Sequence, residues 1–138
     1  MSHNIIASIY EAKLISWAKA LPTPLKVVVE NEAYSPGDND TYLKAFTLPG
    51  DTASNTLGGD HRLYTGVFQV SIVTPSGKYR GPAGAIADQI AALFPVNERN
   101  TKGALTAVTM TPVEQGPGIP GDSTYTVPVS FSYRADTN

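Results

Sequence analysis

This sequence predicts an α+β fold: a mixed, mostly antiparallel sheet of about five strands, with two main helices packed on one face. Three observations predict it. Gly66, Phe68, Val70 and Ile72 share one parity of a run whose other parity is Val67, Gln69, Ser71 and Val73. That is the period of a strand with one buried face. Tyr125, Val127, Val129, Phe131 and Tyr133 alternate with Thr126, Pro128, Ser130, Ser132 and Arg134 in a second run of the same kind. Between the two, Ile86, Ile90, Leu93 and Phe94 recur at helical spacing. Strands in runs, broken by one helix, belong to a layered α+β domain rather than to alternating βαβ units.

The first helix is predicted over Ile5 to Leu21, where Ile6, Tyr10, Leu14, Trp17 and Leu21 form a stripe that Ile5 and Ile9 widen. Ser2 or Asn4 caps it. Leu21-Pro22-Thr23-Pro24 ends it, because a residue before proline is pushed out of the α region. Trp17 reads as a core anchor. Leu25 to Glu30 is a short valine-rich strand. Asn31 to Asp40 contains Pro36-Gly37-Asp38-Asn39 and reads as a loop. Tyr42 to Leu48 is the next strand, in which Lys44 interrupts the apolar parity of Tyr42, Phe46 and Leu48 and so marks an edge or an interface. Pro49 to Asp60 is small, polar and glycine-bearing, and reads as a loop.

The long strand beginning near Arg62 ends at Pro75-Ser76-Gly77, since proline removes a donor and glycine permits a positive φ. Gly81-Pro82 opens the second helix, where the missing N–H of Pro82 costs nothing, and Pro95 closes it. Ala83, Ala87 and Ala91 let that helix lie close to a sheet. Val96 to Gly103 reads as a polar connection and Leu105 to Thr111 as a strand. Pro112 to Ser123 carries three prolines and three glycines and reads as a loop or a long hairpin end. In the last strand Pro128 implies an edge or a bulge. Ala135 to Asn138 are expected to fray.

The totals set bounds. A chain of 138 residues is read as one domain, residues 1–138. Charged residues make up 16%, below the usual quarter, which leaves room for protein–protein contact. The net charge is −2 and no Lys/Arg cluster occurs, so tight binding to nucleic acid is disfavoured. The absence of cysteine removes disulfides and thiolate metal sites. No apolar run approaches the roughly 20 residues that span a membrane, and no signal peptide is read at the N-terminus.

No catalytic constellation emerges, and the expectation is a protein that is not an enzyme and needs no cofactor or metal. His3 lies at an end expected to be loose, and His61 adjoins Asp60 only in sequence, where neighbouring side chains point apart. No G-x-S-x-G, H-E-x-x-H or phosphate loop is present, and Gly58-Gly59 alone does not make one. Glu30, Glu32, Asp38 and Asp40 do not have the spacing of a calcium loop. Arg62 and Arg80 flank the long strand and its turn, as solvated ends or as intersubunit contacts, since arginine is favoured at interfaces.

The segment Arg62-x-x-x-Gly66-x-x-Gln69-Val70 with its Pro75-x-Gly77 turn, followed by Ala87-Asp88-x-Ile90-x-x-x-Phe94, resembles the tail terminator (tail completion, minor tail protein U-like) proteins of long-tailed bacteriophages. Val29-Glu30-Asn31 with Tyr34-Ser35-Pro36, and the closing Val127-Pro128-Val129-Ser130, resemble that family too. Gly77-Lys78-Tyr79-Arg80-Gly81 stands where such proteins usually carry a glycine-rich turn. The likeness covers nearly the whole chain. It implies a structural virion protein, made in the host cytoplasm and placed in the tail. There a ring, expected to be hexameric and to form on the tail from a monomer in solution, caps the tail tube, stops its growth and prepares head–tail joining. The implied partners are copies of itself, the tail tube protein and the head–tail connector protein, with no nucleic-acid or membrane recognition and no cofactor. Candidate interface residues are Arg62, Arg80, Lys44 and Tyr34, and the loops Pro49–Asp60 and Pro112–Ser123 are expected to order on contact. The alternatives are a small α+β ligand-binding module and another ring-forming neck or tail protein.

Overall fold

The computed structural model describes residues 3–22, 24–30, 32, 41–53, 63–77, 81–103, 105–121 and 124–137. Along the chain run α1 (His3–Lys19), β1 (Lys26–Val28), β2 (Tyr42–Ala53), β3 (Leu63–Pro75) and α2 (Gly81–Leu93). Then come β4 (Arg99–Lys102), β5 (Leu105–Thr109), β6 (Glu114–Gln115), β7 (Ile119–Pro120) and β8 (Thr124–Thr137). The sheet order is β1-β2-β3-β8-β5-β4, with β6 and β7 beside the first half of β8. Only β1 and β2 pair in parallel. The mixed, mostly antiparallel α+β fold expected from the sequence is therefore the fold observed.

Parity decides which residues meet the helices. Phe68, Val70 and Ile72 of β3 are buried on the same side as Val127, Val129, Phe131 and Tyr133 of β8. From α1, Ile6, Tyr10, Leu14 and Ala18 descend on this face at intervals of four, one turn apart. From α2 and its end come Ala83, Ala87, Ile90 and Phe94, all in the same core. Ala83 and Ala87, with Ile90, rather than Ile86 and Leu93, sit deepest, because a small side chain lets the helix lie close to the strands; Ala91, expected on that side, is exposed.

Five aromatic rings fill the centre. Tyr10 lies 5.0 Å from Phe131 and 5.4 Å from Phe68 between ring centroids, and Phe94 lies 5.0 Å from Phe131. Tyr10 also meets Tyr133, at 6.0 Å. Such tilted and edge contacts add about 0.5–1.5 kcal/mol per pair beyond area burial.

The sheet curls around α1. Six strands laid flat would span about 24 Å, yet α1, a cylinder about 10 Å wide, touches β1 and β2 near one margin and β4 at the other. Lys13 pairs with Glu98, and Lys102 Nζ donates to Ser8 Oγ at 3.0 Å, which ties β4 to the helix. Among the described residues the helices thus occupy the concave face, and no helix covers the convex one.

Several expectations are corrected. Residues 99–102, read as a connection, form edge strand β4, whose polar sequence carries no period because its ties are to β5 and to the polar flank of α1. Residues 112–121 of the Pro112–Ser123 segment form the long hairpin end between β5 and β8 and lie along β8: Gly116 N–H donates to the Pro128 carbonyl at 2.8 Å, and Gly118 leaves room for the Tyr125 hydroxyl. Pro128 lies within a central strand, not at an edge or a bulge. In a strand the N–H and C=O of one residue point the same way, so its missing donor faces the interval between β6 and β7 and costs no bond to β3.

β2 continues past Leu48 to Ala53, shifting register between Pro49 and Thr52. Its core side is Leu43, Ala45 and Thr47, because small residues admit α1; Tyr42, Lys44, Phe46 and Leu48 face outward. The early valine-rich strand shortens to Lys26–Val28. Trp17 is half-buried at the core margin, and Ala18 takes the stripe position. The terminal strand does not fray at Ala135, which is buried opposite Tyr64 and Ala107.

His3 is anchored, not loose. Its Nδ1 lies 2.8 Å from the Tyr133 hydroxyl and its ring meets Tyr64 edge-on at 5.1 Å. Gly66, opposite Tyr133 in the ladder, makes this possible: a Cβ there would sit 2.5 Å from the Tyr133 hydroxyl oxygen. Burial lowers the His3 pKa and pushes Tyr133 up to about 12. Tyr10 is likewise raised to about 12 by burial, against a smaller opposing pull from Thr109.

Candidate assembly face

The convex face is read from the register. Leu48 pairs with Val67, Val67 with Ser132, and the Met110 N–H donates to the Ser132 carbonyl at 2.8 Å. These four residues share the outward parity, so they lie in one row across β2, β3, β8 and the end of β5. At about 4.8 Å per strand the row is about 14 Å long. Leu48 is 51% and Met110 46% exposed, unusually high for large apolar side chains in a sheet. Half-buried Phe46 lies in the next row with Gln69 and Ser130, and half-buried Val108 in the row on the other side with Arg134 and Thr65.

Polar groups border this apolar band. Lys44 lies beyond Phe46, with its ammonium 5.7 Å from the Tyr42 ring centroid. A smaller apolar cluster, Val28, Tyr42 and Val73, supports that end. At the other end Arg99, opposite Val108, and Arg134 edge a depression of about 320 Å³ that Asn97, Val108, Met110 and Asp136 complete. Arg134 Nε is 3.4 Å from Asp136 Oδ1. Asn97 holds φ at 68°, a left-handed conformation that asparagine tolerates better than most residues. An apolar centre with a charged rim is the anatomy of a protein–protein contact.

Of the residues singled out in the sequence, Lys44 is on this face. Arg62, Arg80 and Tyr34 lie outside the described residues, as do His61, Asp38, Asp40 and residues 54–60 of the Pro49–Asp60 loop. Leu48 was legible as a strand residue but not as an outward one. Met110, Arg99 and Arg134 join it only through pairings between strands distant in sequence. Among the described residues no group of three His, Asp or Glu side chains could hold a metal, and no helix is long and apolar enough to cross a membrane. The centre of the space between helices and sheet is filled by the aromatic cluster, while at its margin two open depressions, of about 300 Å³ beside Ile15 and Val27 and of about 150 Å³ beside Ala7 and Thr47, lie between α1 and the β1–β2 side.

A family profile described as phage tail terminator protein matches residues 5–133. One solved structure superposes on the chain with a TM-score of 0.82 at 38% sequence identity, covering 98% of this chain and 96% of that one. No curated protein matches the chain.

Proposed function

Since the chain belongs to the phage tail terminator family, a family of structural tail proteins and not of enzymes, we propose that it caps the end of a tail tube as a ring of its own copies. The ring ends tube growth and offers its far side to the head–tail connector. The chain is made in the host cytoplasm and enters the virion at the tail. The observation that carries this reading is the row Leu48–Val67–Ser132–Met110, with two large exposed apolar side chains at its ends, on a face that no helix covers among the described residues. Burying one such side chain is worth about 1.5–3 kcal/mol, enough for a few of them to drive association. Lys44, at the border of the row, serves the rim of the contact.

The test is mass in solution by light scattering, with and without purified tail tubes. The expected result is a low-mass species that becomes a ring on tubes, and loss of that ring in Leu48→Glu and Met110→Asp with thermal stability kept. Rings that form equally well in both variants would remove the convex face from the assembly.

A further inference from the structure

In the motif Ala87-Asp88-x-Ile90-x-x-x-Phe94 the fold accounts for three of the named residues: Ala87, Ile90 and Phe94 are buried in the core. Asp88 is left over. It is exposed on the outer side of α2 and has no ion-pair partner among the described residues. On the opposite face of the sheet, the depression beside Met110 has the converse imbalance. Arg99 and Arg134 face it with a single carboxylate, Asp136, which meets only the Nε of Arg134. The terminal nitrogens of Arg134 and the whole guanidinium of Arg99 have no ion-pair partner among the described residues. The floor between them is apolar, through Val108 and Met110.

One surface lacks a cation and the other an anion. Within one copy they cannot meet, because α2 packs on the concave side of β3 and β8 and the two arginines project from the convex side. We propose that Asp88 of one copy seats between Arg99 and Arg134 of the next. This rests on the ring reading above and names the contact that joins the subunits. Guanidinium and carboxylate form forked, charge-assisted hydrogen bonds, and the apolar floor removes water from them. Exposed Ala85 and Ala92 flank Asp88 on α2 and let the helix backbone come close to the apolar row. The contact joins two different surfaces, so it is heterologous, the kind that closes into a ring when its rotation allows.

The test is a charge-exchange cycle on full-length protein, scored as rings per tube end by electron microscopy and as mass by light scattering. Asp88→Lys and Arg134→Glu should each weaken ring formation by about ten-fold or more, since like charges are then juxtaposed. The double variant should recover it. So should an equal mixture of the two single variants, because an alternating ring restores opposite charges at every junction. The same cycle with Arg99→Glu guards against an effect confined to the Arg134–Asp136 pair. Single variants that assemble like the parent, or losses that neither the double variant nor the mixture recovers, overturn the contact while the ring stands. A parent protein that forms no ring on tubes removes the ring reading, and this contact with it.

Discussion

Replacing Gly66 with alanine tests the core where strand pairing, an aromatic ring and the first helix meet. The new Cβ would lie 2.5 Å from the Tyr133 hydroxyl oxygen and 2.7 Å from both the Tyr133 ring carbon bearing it and the Leu48 carbonyl oxygen. Tyr133 is buried and bonded to His3, and Leu48 belongs to the β2 backbone, so neither yields freely. Overpacking of this kind costs about 1–3 kcal/mol. Losing the Tyr133–His3 hydrogen bond costs about 0.5–1.5 kcal/mol. The lower unfolded-state entropy of alanine returns about 0.4–1 kcal/mol. Taking the middle of each range, the net is about 2.3 kcal/mol. At roughly 2.1 cal/mol/K per residue the unfolding entropy is about 290 cal/mol/K for this length, so Tm should fall by about 8 °C.

The assay is thermal unfolding by circular dichroism at pH 7.5, for Gly66→Ala, Tyr133→Phe and the double variant. Because Tyr133→Phe removes the atom in closest conflict, it should cost less in the alanine background than alone, by roughly 1 kcal/mol of coupling. A Gly66→Ala protein that melts within about 1 °C of the parent, or two strictly additive costs, would refute the placement of the Tyr133 ring over Gly66.

Other consequences can be measured on the same material. The Tyr10 hydroxyl is buried beside Thr109, and neither hydroxyl makes a hydrogen bond of good geometry among the described residues, so Tyr10→Phe should change stability by no more than about 1 kcal/mol; a larger drop in Tm would mean that the two hydroxyls are bonded. Because Tyr10 and Tyr133 are raised to about 12, the native state keeps two phenol protons that the unfolded chain releases near pH 10. Stability should therefore hold below pH 10 and fall as pH rises toward 12, with two of the phenols missing from the native absorbance titration below that point. For His3 the sign is reversed. Its pKa is lowered by burial, so the unfolded chain binds a proton first, and stability is full above about pH 6.5 and declines as pH falls below it. His3→Gln should flatten that part of the Tm–pH curve, and an unchanged slope would show that carboxylates alone produce it.

The two strands with the clearest period-2 alternation, β3 and β8, are the paired centre of the sheet, and both helices stand in the predicted segments, though Trp17, Ile86 and Leu93 of their stripes lie only at the core margin. What failed was face and margin. In β2 the larger residues, Tyr42, Phe46 and Leu48, look inward by hydrophobicity, yet Ala45 and Thr47 face the helix because α1 needs the room. β4 reads Arg-Asn-Thr-Lys and carries no apolar signal, since it is ordered by β5 and by Lys13 and Ser8 of a distant helix. The candidate face could not be read at all from local pattern. Leu48, Val67, Ser132 and Met110 become neighbours only through three separate strand registers.

The order of the strands carries one more consequence. Among the described residues β8 follows every other strand in sequence yet lies in the middle of the sheet, joining β1-β2-β3 on one side to β4–β5 on the other. Without β8, the β1-β2-β3 and β4–β5 halves each keep an unpaired edge, and the two-stranded β4–β5 ribbon is at best marginally stable in water. The central pairing then has to bring Leu63 to Asp136, across about half of the chain, and contacts so far apart in sequence form slowly. A copy in which β8 has not yet docked therefore has no finished convex face, since Ser132 and Arg134 come from that strand.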